Sequence, residues 1–500
     1  MELRTLHILV ANMRHGDATS QHTFDLVRLF RNRGVTVQIF HNYPNGPLPD
    51  DIQPHVQQAD YAQYRPGAEL TILQYPVWFP LAERFRQVPG ASIFWYHGVT
   101  PPALWGARPG LEMVQTAEVR TELAWHAHLA VAASPFTADE LHGHSSYPRN
   151  RIRVVPLTID VDTLAQPPSK DELTHLRHQW HAEGKRILLY VGRIAGNKRI
   201  DLLIRALAQL QRSNLMLLVV GDIAMNDAAR VLHPELEALA AQLGVSSQVL
   251  FTGRVRDVTP YLHLADIVLL PSQHEGFGVP IAEAMAAGTP TVASNSGALP
   301  WVLGADNTEA VNTGSTERSP AGLLFEEDNV DDLVDKIARL LDDPNLRNSV
   351  IAQGRVRVRD FSQERFAANV QKVVDEAMTL ALQDEPPAHS LALPPLAPYA
   401  DIVIRDYRVR SGAPWVGKLI EWVRVNATTH VKEAYLDRML ERQVNYNRLL
   451  ATEIAALQNE MTELRAQVDE LRRQLATNDN THTQPSTQSG TKPPPKGMQS

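Results

Sequence analysis

The chain has 500 residues, 44% of them hydrophobic and 21% charged, with a formal charge of -8 and no cysteine. That length exceeds what one hydrophobic core supports, so at least two globular domains are expected. The acidic balance argues against nucleic acid as the main partner, and the lack of cysteine excludes disulfides, thiolate catalysis and Cys-ligated zinc while suiting a reducing cytoplasm.

The N-terminus, MELRTLHILVANMRHGD, is apolar only from Leu6 to Ala11. It reads as a first β-strand and not as a signal peptide. No apolar run reaches the roughly 18 residues of a transmembrane helix, so the chain is expected to lie on a membrane at most and not to span one. HILVA, VTVQIF, LTILQY, SIFWYH, LAVAAS and RIRVVPL then alternate with amphipathic helical stretches. Beyond a Pro-rich link near residues 165–172, a second set follows: RILLYVG, LMLLVVG, VLFTG, DIVLLP, TPTVAS and AGLLF. Continuous apolar strands separated by helices predict parallel sheets covered on both faces. The fold expected is α/β: two Rossmann-like, doubly wound domains, residues 1–165 and 184–360, facing a cleft.

The composition shifts after Leu382. Residues 383–400 form a stiff Pro-rich linker. Within 401–434, APWVGKLIEWVRV places Trp415, Val416, Leu419, Ile420, Trp422 and Val423 on one helical face opposite Lys418, Glu421 and Arg424. Tryptophans beside basic residues suit a bilayer interface, and packing on the catalytic domains is the competing reading. Over 435–476, Leu436, Leu450, Leu457, Leu464 and Leu471 occupy d positions, and Leu440, Asn447, Ile454, Met461, Val468 and Leu475 occupy a positions. That pattern predicts a parallel two-stranded coiled coil, hence a homodimer. Residues 477–500 are polar and Pro-rich and are expected to be disordered.

The chemistry concentrates at strand ends. DIVLLP runs into SQHEGFGVPIAEAMAAGTP, with Glu275 in the turn and Glu283 eight residues on, in the helix that follows. Gly276 and Gly278 permit a sharp turn and close approach, Pro280 suits the first helical turn, and Gly288 suits the position just past its end. The positive N-terminus of that helix, at residues 279–281, is an anion site, so the carboxylates beside it need another ligand, and sugar hydroxyls fit. In YVGRIAGNKRID, Arg193 and Lys198 emerge past another strand, where two cations would neutralise a pyrophosphate. A diphosphate flanked by polyols describes a nucleotide-sugar. These cations are expected at the cleft and outside any core.

Here the chain resembles glycosyltransferase family 4, retaining enzymes of the GT-B fold. The matching stretches are YVGRIAGNKRIDLLIRA, FTGRVRDVTPYLHLADIVLLPSQHEGFGVPIAEAMAAGTPTVAS, AGLLFEEDNVDDLVDKIARLL and FSQERFA. The resemblance implies that Glu275 holds hydroxyls of the donor sugar, Glu283 the ribose diol, and Arg193 and Lys198 the diphosphate. Gly276, Phe277, Gly278 and Val279 fall on the donor side with them. It also implies a helix at 361–382 crossing back to the N-terminal domain. ANMRHGDATSQHTFDLVRLFRNRGV looks like the family's glycine loop, placing Gly16 by the donor and Asp17 toward the acceptor. FWYHGVTPP resembles the segment that faces the transferred sugar with a histidine, His97, and VAASPFTADEL puts Ser134 near the acceptor. For Asp17 and Ser134, cap or turn chemistry competes. Two departures stand out: Gly16-Asp17 replaces a double glycine, and Pro300-Trp301 replaces Pro-Glu.

The function implied is retaining transfer of a hexosyl, mannosyl among the options, from GDP-mannose or a UDP-hexose to a glycan or polyprenyl-linked acceptor in cell-surface polysaccharide synthesis. The enzyme is expected to be cytoplasmic, peripheral at the inner membrane face and metal-independent, with no cofactor. DVD at 160–162, HAH at 126–128 and HGH at 142–144 mimic metal motifs, but no third ligand accompanies the histidines. A GT-B sugar-nucleotide epimerase and an inactive scaffold assembled by the coiled coil are the alternatives.

Overall fold

A computed structural model describes residues 3–14, 16–105, 110–223, 227–305 and 320–383, with isolated positions 465 and 468. The first sheet contains β1 (Thr5–Val10), β2 (Thr36–His41), β3 (Val56–Gln58), β4 (Leu70–Tyr75), β5 (Ala91–Tyr96), β6 (Leu129–Ala132) and β7 (Ile152–Val154). Its order is β3-β2-β1-β4-β5-β6-β7, parallel throughout. The second contains β8 (Arg186–Val191), β9 (Leu215–Val220), β10 (Val249–Gly253), β11 (Ile267–Leu270), β12 (Thr291–Ser294) and β13 (Leu323–Phe325). Its order is β10-β9-β8-β11-β12-β13, again all parallel. These are the two doubly wound sheets expected. The strand not anticipated is β3, three residues of a polar VQQ at the sheet edge, where no alternating or apolar run marks it.

Seven helices position the site: α1 (Ala18–Arg31), α2 (Pro135–Ser145), α3 (Ile200–Leu210), α4 (Val279–Ala287), α5 (Val330–Asp342), α6 (Pro344–Arg357) and α7 (Gln363–Leu382). Successive strand residues point to opposite faces, and the first sheet uses both. Ile8, Ile72 and Ile93 pack with Phe24 and Val27 of α1 and with Phe366, Val370 and Val374 of α7. Leu9, Leu73 and Phe94 pack with Ala138 and Leu141 of α2 on the other face. The C-terminal helix α7 therefore lies on the N-terminal sheet, where Arg153 Nε donates to Glu376 Oε2 at 2.9 Å. The second sheet has its own core, with Leu189, Leu217 and Val268 packed among Leu203, Ile281 and Ile337.

Among the described residues no helix is long and apolar enough to cross a membrane. The linker, the 415–423 stripe and the heptads lie outside the described residues, apart from Arg465 and Val468, both helical and exposed.

Candidate active site

In an open α/β sheet, ligands bind beyond the carboxyl ends of the strands, at the point where strand order reverses. In the second sheet that point lies between β8 and β11. The loop after β8 carries Arg193 and Lys198, and the loop after β11 carries Glu275.

The first loop is held by Tyr190, whose hydroxyl donates to Arg193 O at 2.8 Å. Lys198 then turns under the second loop. Its Nζ donates to Glu275 Oε1 at 2.7 Å and lies 3.4 Å from His274 O. Ser272 Oγ donates to the same carboxylate oxygen at 2.8 Å. The Lys198 and Glu275 side chains are only 9% and 15% exposed. Burial pushes the Glu275 carboxyl up, but Lys198 and Ser272 outweigh it and hold the group below its ordinary range. Burial lowers the Lys198 ammonium against the pull of Glu275. This corrects the expectation that both cations stand outside a core: Lys198 is a buried half of an ion pair, whereas Arg193 is exposed and its side chain makes no hydrogen bond or ion pair among the described residues.

The glycines of the second loop have separate reasons. Gly278 has φ +95 and caps α4, and a Cβ there would lie 2.6 Å from Leu299 Cδ2. A Cβ on Gly276 would lie 2.5 Å from His97 O, across the cleft. Backbone from the two sheets therefore touches at this glycine. One turn into α4, Glu283 is half-buried and its side chain makes no hydrogen bond among the described residues. Burial, with Asp257 nearby, raises its carboxyl to about 7. Phe277 differs from its donor-side assignment. Its ring is 3% exposed and packs into the core beside Phe361 at 5.0 Å and Trp301 at 6.3 Å. Trp301 belongs to that core too, stacked under the Arg357 guanidinium at 5.2 Å.

The opposite wall comes from the first sheet. His97 follows β5, and its Nε2 donates to Gln74 Oε1 at the end of β4. Burial lowers its pKa to about 4, against a weaker pull from Asp17, so the ring is neutral at pH 7. Beneath it sits His22 of α1, ring centroids 5.2 Å apart, with both nitrogens buried and unpartnered. Gly16 has φ +77, and a Cβ there would lie 3.6 Å from Arg254 Nη2 of the facing wall.

Residues 174–357 match the family described as glycosyl transferases group 1. That match makes this part of the chain similar to glycosyl transferases group 1. It is 32% identical over 233 residues to the D-inositol 3-phosphate glycosyltransferase of Xylanimonas cellulosilytica, covering 46% of this chain and 52% of that one. It is 32% identical over 176 residues to the mannosylfructose-phosphate synthase of Agrobacterium fabrum, covering 34% and 38%. The chain thus spans about half or less of the length of these curated relatives. The Anabaena protein HepE, solved with UDP and glucose, superposes with a TM-score of 0.61 at 18% identity, over 74% of this chain and 99% of that one. The fold is GT-B.

In the second sheet and its facing wall, the structure gathers Arg193, Lys198, Glu275, Gly276, Gly278, Val279 and Glu283 at one strand-order reversal, with His97 against Gly276. Asp17 and Ser134 are otherwise engaged. Asp17 Oδ2 accepts from Ser20 N at 3.0 Å and from Ser20 Oγ at 2.7 Å, capping α1. Ser134 caps α2 through Thr137 N at 3.2 Å, and its hydroxyl donates to Gly276 O at 2.8 Å. Cap chemistry describes both, with a cross-cleft bond added for Ser134. Residues of the metal-like motifs are engaged in other bonds. His126 accepts from Arg86, His128 pairs with Ser92, His142 donates to Tyr147 O, and Asp160 caps Thr163 N. Gln74, His22 and Arg254 were not anticipated, because each meets the site only through folding and no local pattern marks it.

Proposed function

We propose that this protein is a retaining hexosyltransferase, using a nucleoside-diphosphate sugar and a glycan or lipid-linked acceptor in cell-surface polysaccharide synthesis. The observation that carries the reading is the constellation at the β8–β11 crevice. It combines an exposed Arg193, the Lys198–Glu275 pair, the N-terminus of α4 and a Glu283 carboxylate with no hydrogen bond among the described residues. Cations and helix dipole match a leaving diphosphate, and the carboxylates match sugar and ribose hydroxyls. Breaking the anomeric bond builds positive charge on the sugar and negative charge on the diphosphate, which preorganised donors stabilise best. Neutral His97 serves as a hydrogen-bonding group toward the sugar and not as a cation. The acceptor hydroxyl's proton passes to the departing phosphate oxygen on the same face. The names of the relatives, an inositol-phosphate glycosyltransferase and a mannosylfructose-phosphate synthase, and the UDP and glucose held by HepE support a sugar-nucleotide donor, with GDP-mannose and UDP-hexoses the first to try.

In this reading the side-chain cations carry out charge neutralisation, so activity persists in a chelator. We place the enzyme in the cytoplasm, peripheral to the inner membrane face through 415–423 and dimeric through 436–475. Vesicle flotation of the Trp415→Ser, Trp422→Ser double variant checks the first of these contacts, and binding equal to wild type removes it. The functional test is release of nucleoside diphosphate from GDP-mannose and UDP-glucose, with and without acceptor lipid and with EDTA. Acceptor-stimulated release supports the reading. Turnover of neither donor, or epimerised donor without acceptor, refutes it.

A further inference from the structure

The loop 274–276 is gripped from both sides, and the outer grip comes from a helix of the other sheet. Ser134, just ahead of α2, donates to Gly276 O at 2.8 Å, and a Cβ on Gly276 would lie 3.3 Å from the Thr137 methyl. Phe136 meets the His274 ring edge-on, centroids 5.6 Å apart. One turn further along the same helix face, Glu140 Oε1 lies 2.6 Å from His274 Nε2. Positions four apart on a helix face the same way, so Phe136 and Glu140 clasp one imidazole. Glu140 is anchored in its own domain, where Oε2 accepts from the Tyr96 hydroxyl at 2.9 Å, one residue before His97. The His274 and Glu140 side chains are each 7% exposed. Between the two gripped residues stands Glu275, fixed from the inner side by Lys198 and Ser272. Its own backbone is closed over as well, with Ala298 N donating to Glu275 O at 3.0 Å.

We propose that Glu140 and His274 form a latch between the two sheets, which positions Glu275 for the donor sugar only when the cleft is closed. The inference rests on the reading of Glu275 as a donor-sugar ligand. Glu140 and His274 touch no substrate and act through the loop, as positioning residues. Removing the latch lets the walls separate and frees residues 274–276, while Arg193 and Lys198 keep the diphosphate. The kinetic signature is a split: kcat falls and nucleoside diphosphate affinity stays.

The chain has no cysteine, so Gln57→Cys and Gln242→Cys, at exposed positions on the two domains, can carry a fluorophore pair on the full-length protein. Single-molecule energy transfer in the latched protein should show one short-distance population. Glu140→Ala and His274→Ala, the second sparing the Tyr96 bond, should each shift it to longer distances. Glu140→Gln, which keeps neutral hydrogen bonds to both partners, should stay near wild type. In the same two alanine variants kcat for diphosphate release should drop about tenfold or more, with UDP and GDP affinities within about twofold. Distance distributions that match wild type in both folded alanine variants overturn the latch. Shifted distributions in a protein that never turns over a sugar nucleotide sustain the latch and overturn the functional reading instead.

Discussion

The two walls of the cleft come from sheets of the same winding, yet they equip their switch points in opposite ways. Between β8 and β11 stand charges, two cations and two carboxylates, and of these the Arg193 and Glu283 side chains make no hydrogen bond among the described residues. Along the carboxyl ends of β1, β4 and β5 stand neutral or occupied groups: Gly16, a neutral His97 bonded to Gln74, and Asp17 spent on capping α1. One wall thus holds a buried ion pair beside two uncommitted charges, and the other supplies close backbone approach and shape. In the proposed function, that difference assigns the donor to the charged wall.

The comparison breaks most visibly at Lys198. Lys198→Ala removes the charge partner of a buried carboxylate, a change that costs about 3 kcal/mol or more. In the proposed function it also removes a donor to the leaving group, worth roughly a hundredfold in kcat. Denaturant unfolding and diphosphate release should both register the loss, and a variant as stable as wild type contradicts the buried pair. Gly276→Ala tests the close approach. Its methyl would lie 2.5 Å from His97 O, a backbone atom that cannot rotate away. The walls should be pushed apart and kcat should fall roughly tenfold or more, with UDP and GDP still bound.

Glu283 sharpens the contrast through pH. Its folded pKa, about 7, lies above the ordinary carboxyl value. The native state therefore holds a proton that the unfolded state has lost, and this group's contribution to stability falls as pH rises from about 4.5 to 7. Accepting two ribose hydroxyls requires the ionised form, so nucleoside diphosphate affinity should rise between pH 6 and 8. Glu283→Gln should flatten that rise and remove the matching loss of ligand-free stability. An unchanged affinity profile in the variant excludes Glu283 as a nucleotide ligand. The smallest effect is expected at Asp17. Asp17→Ala should lose about 1 kcal/mol of stability as a missing cap, with kcat within about twofold, and a collapse of kcat would place Asp17 on the acceptor after all.

The charged wall was legible because its residues follow apolar strands at short, fixed spacings. RILLYVGRIAGNK and DIVLLPSQHEGFG each print a strand, a turn and its charges in one stretch. The burial of Lys198 was not legible, since it depends on a carboxylate 77 residues away. The facing wall hides its logic further. His97 answers to Gln74, 23 residues before it, and Ser134 to Gly276, 142 residues after it. Phe277 sits inside the most recognisable motif and still turns its ring into the core, because Trp301 and Phe361 offer an aromatic pocket that no spacing reveals.

The central claim is that the crevice between β8 and β11 binds a diphosphate through Arg193 beside the Lys198–Glu275 pair. Calorimetric titration of UDP and GDP against uridine and guanosine, on wild type and Arg193→Ala, tests it most directly. Charge-assisted bonds to a diphosphate contribute about 1.5–3 kcal/mol each. The wild type should therefore prefer diphosphate over nucleoside by roughly a hundredfold. Arg193→Ala should cut that preference about tenfold without changing stability. An equal preference in both proteins would contradict the account.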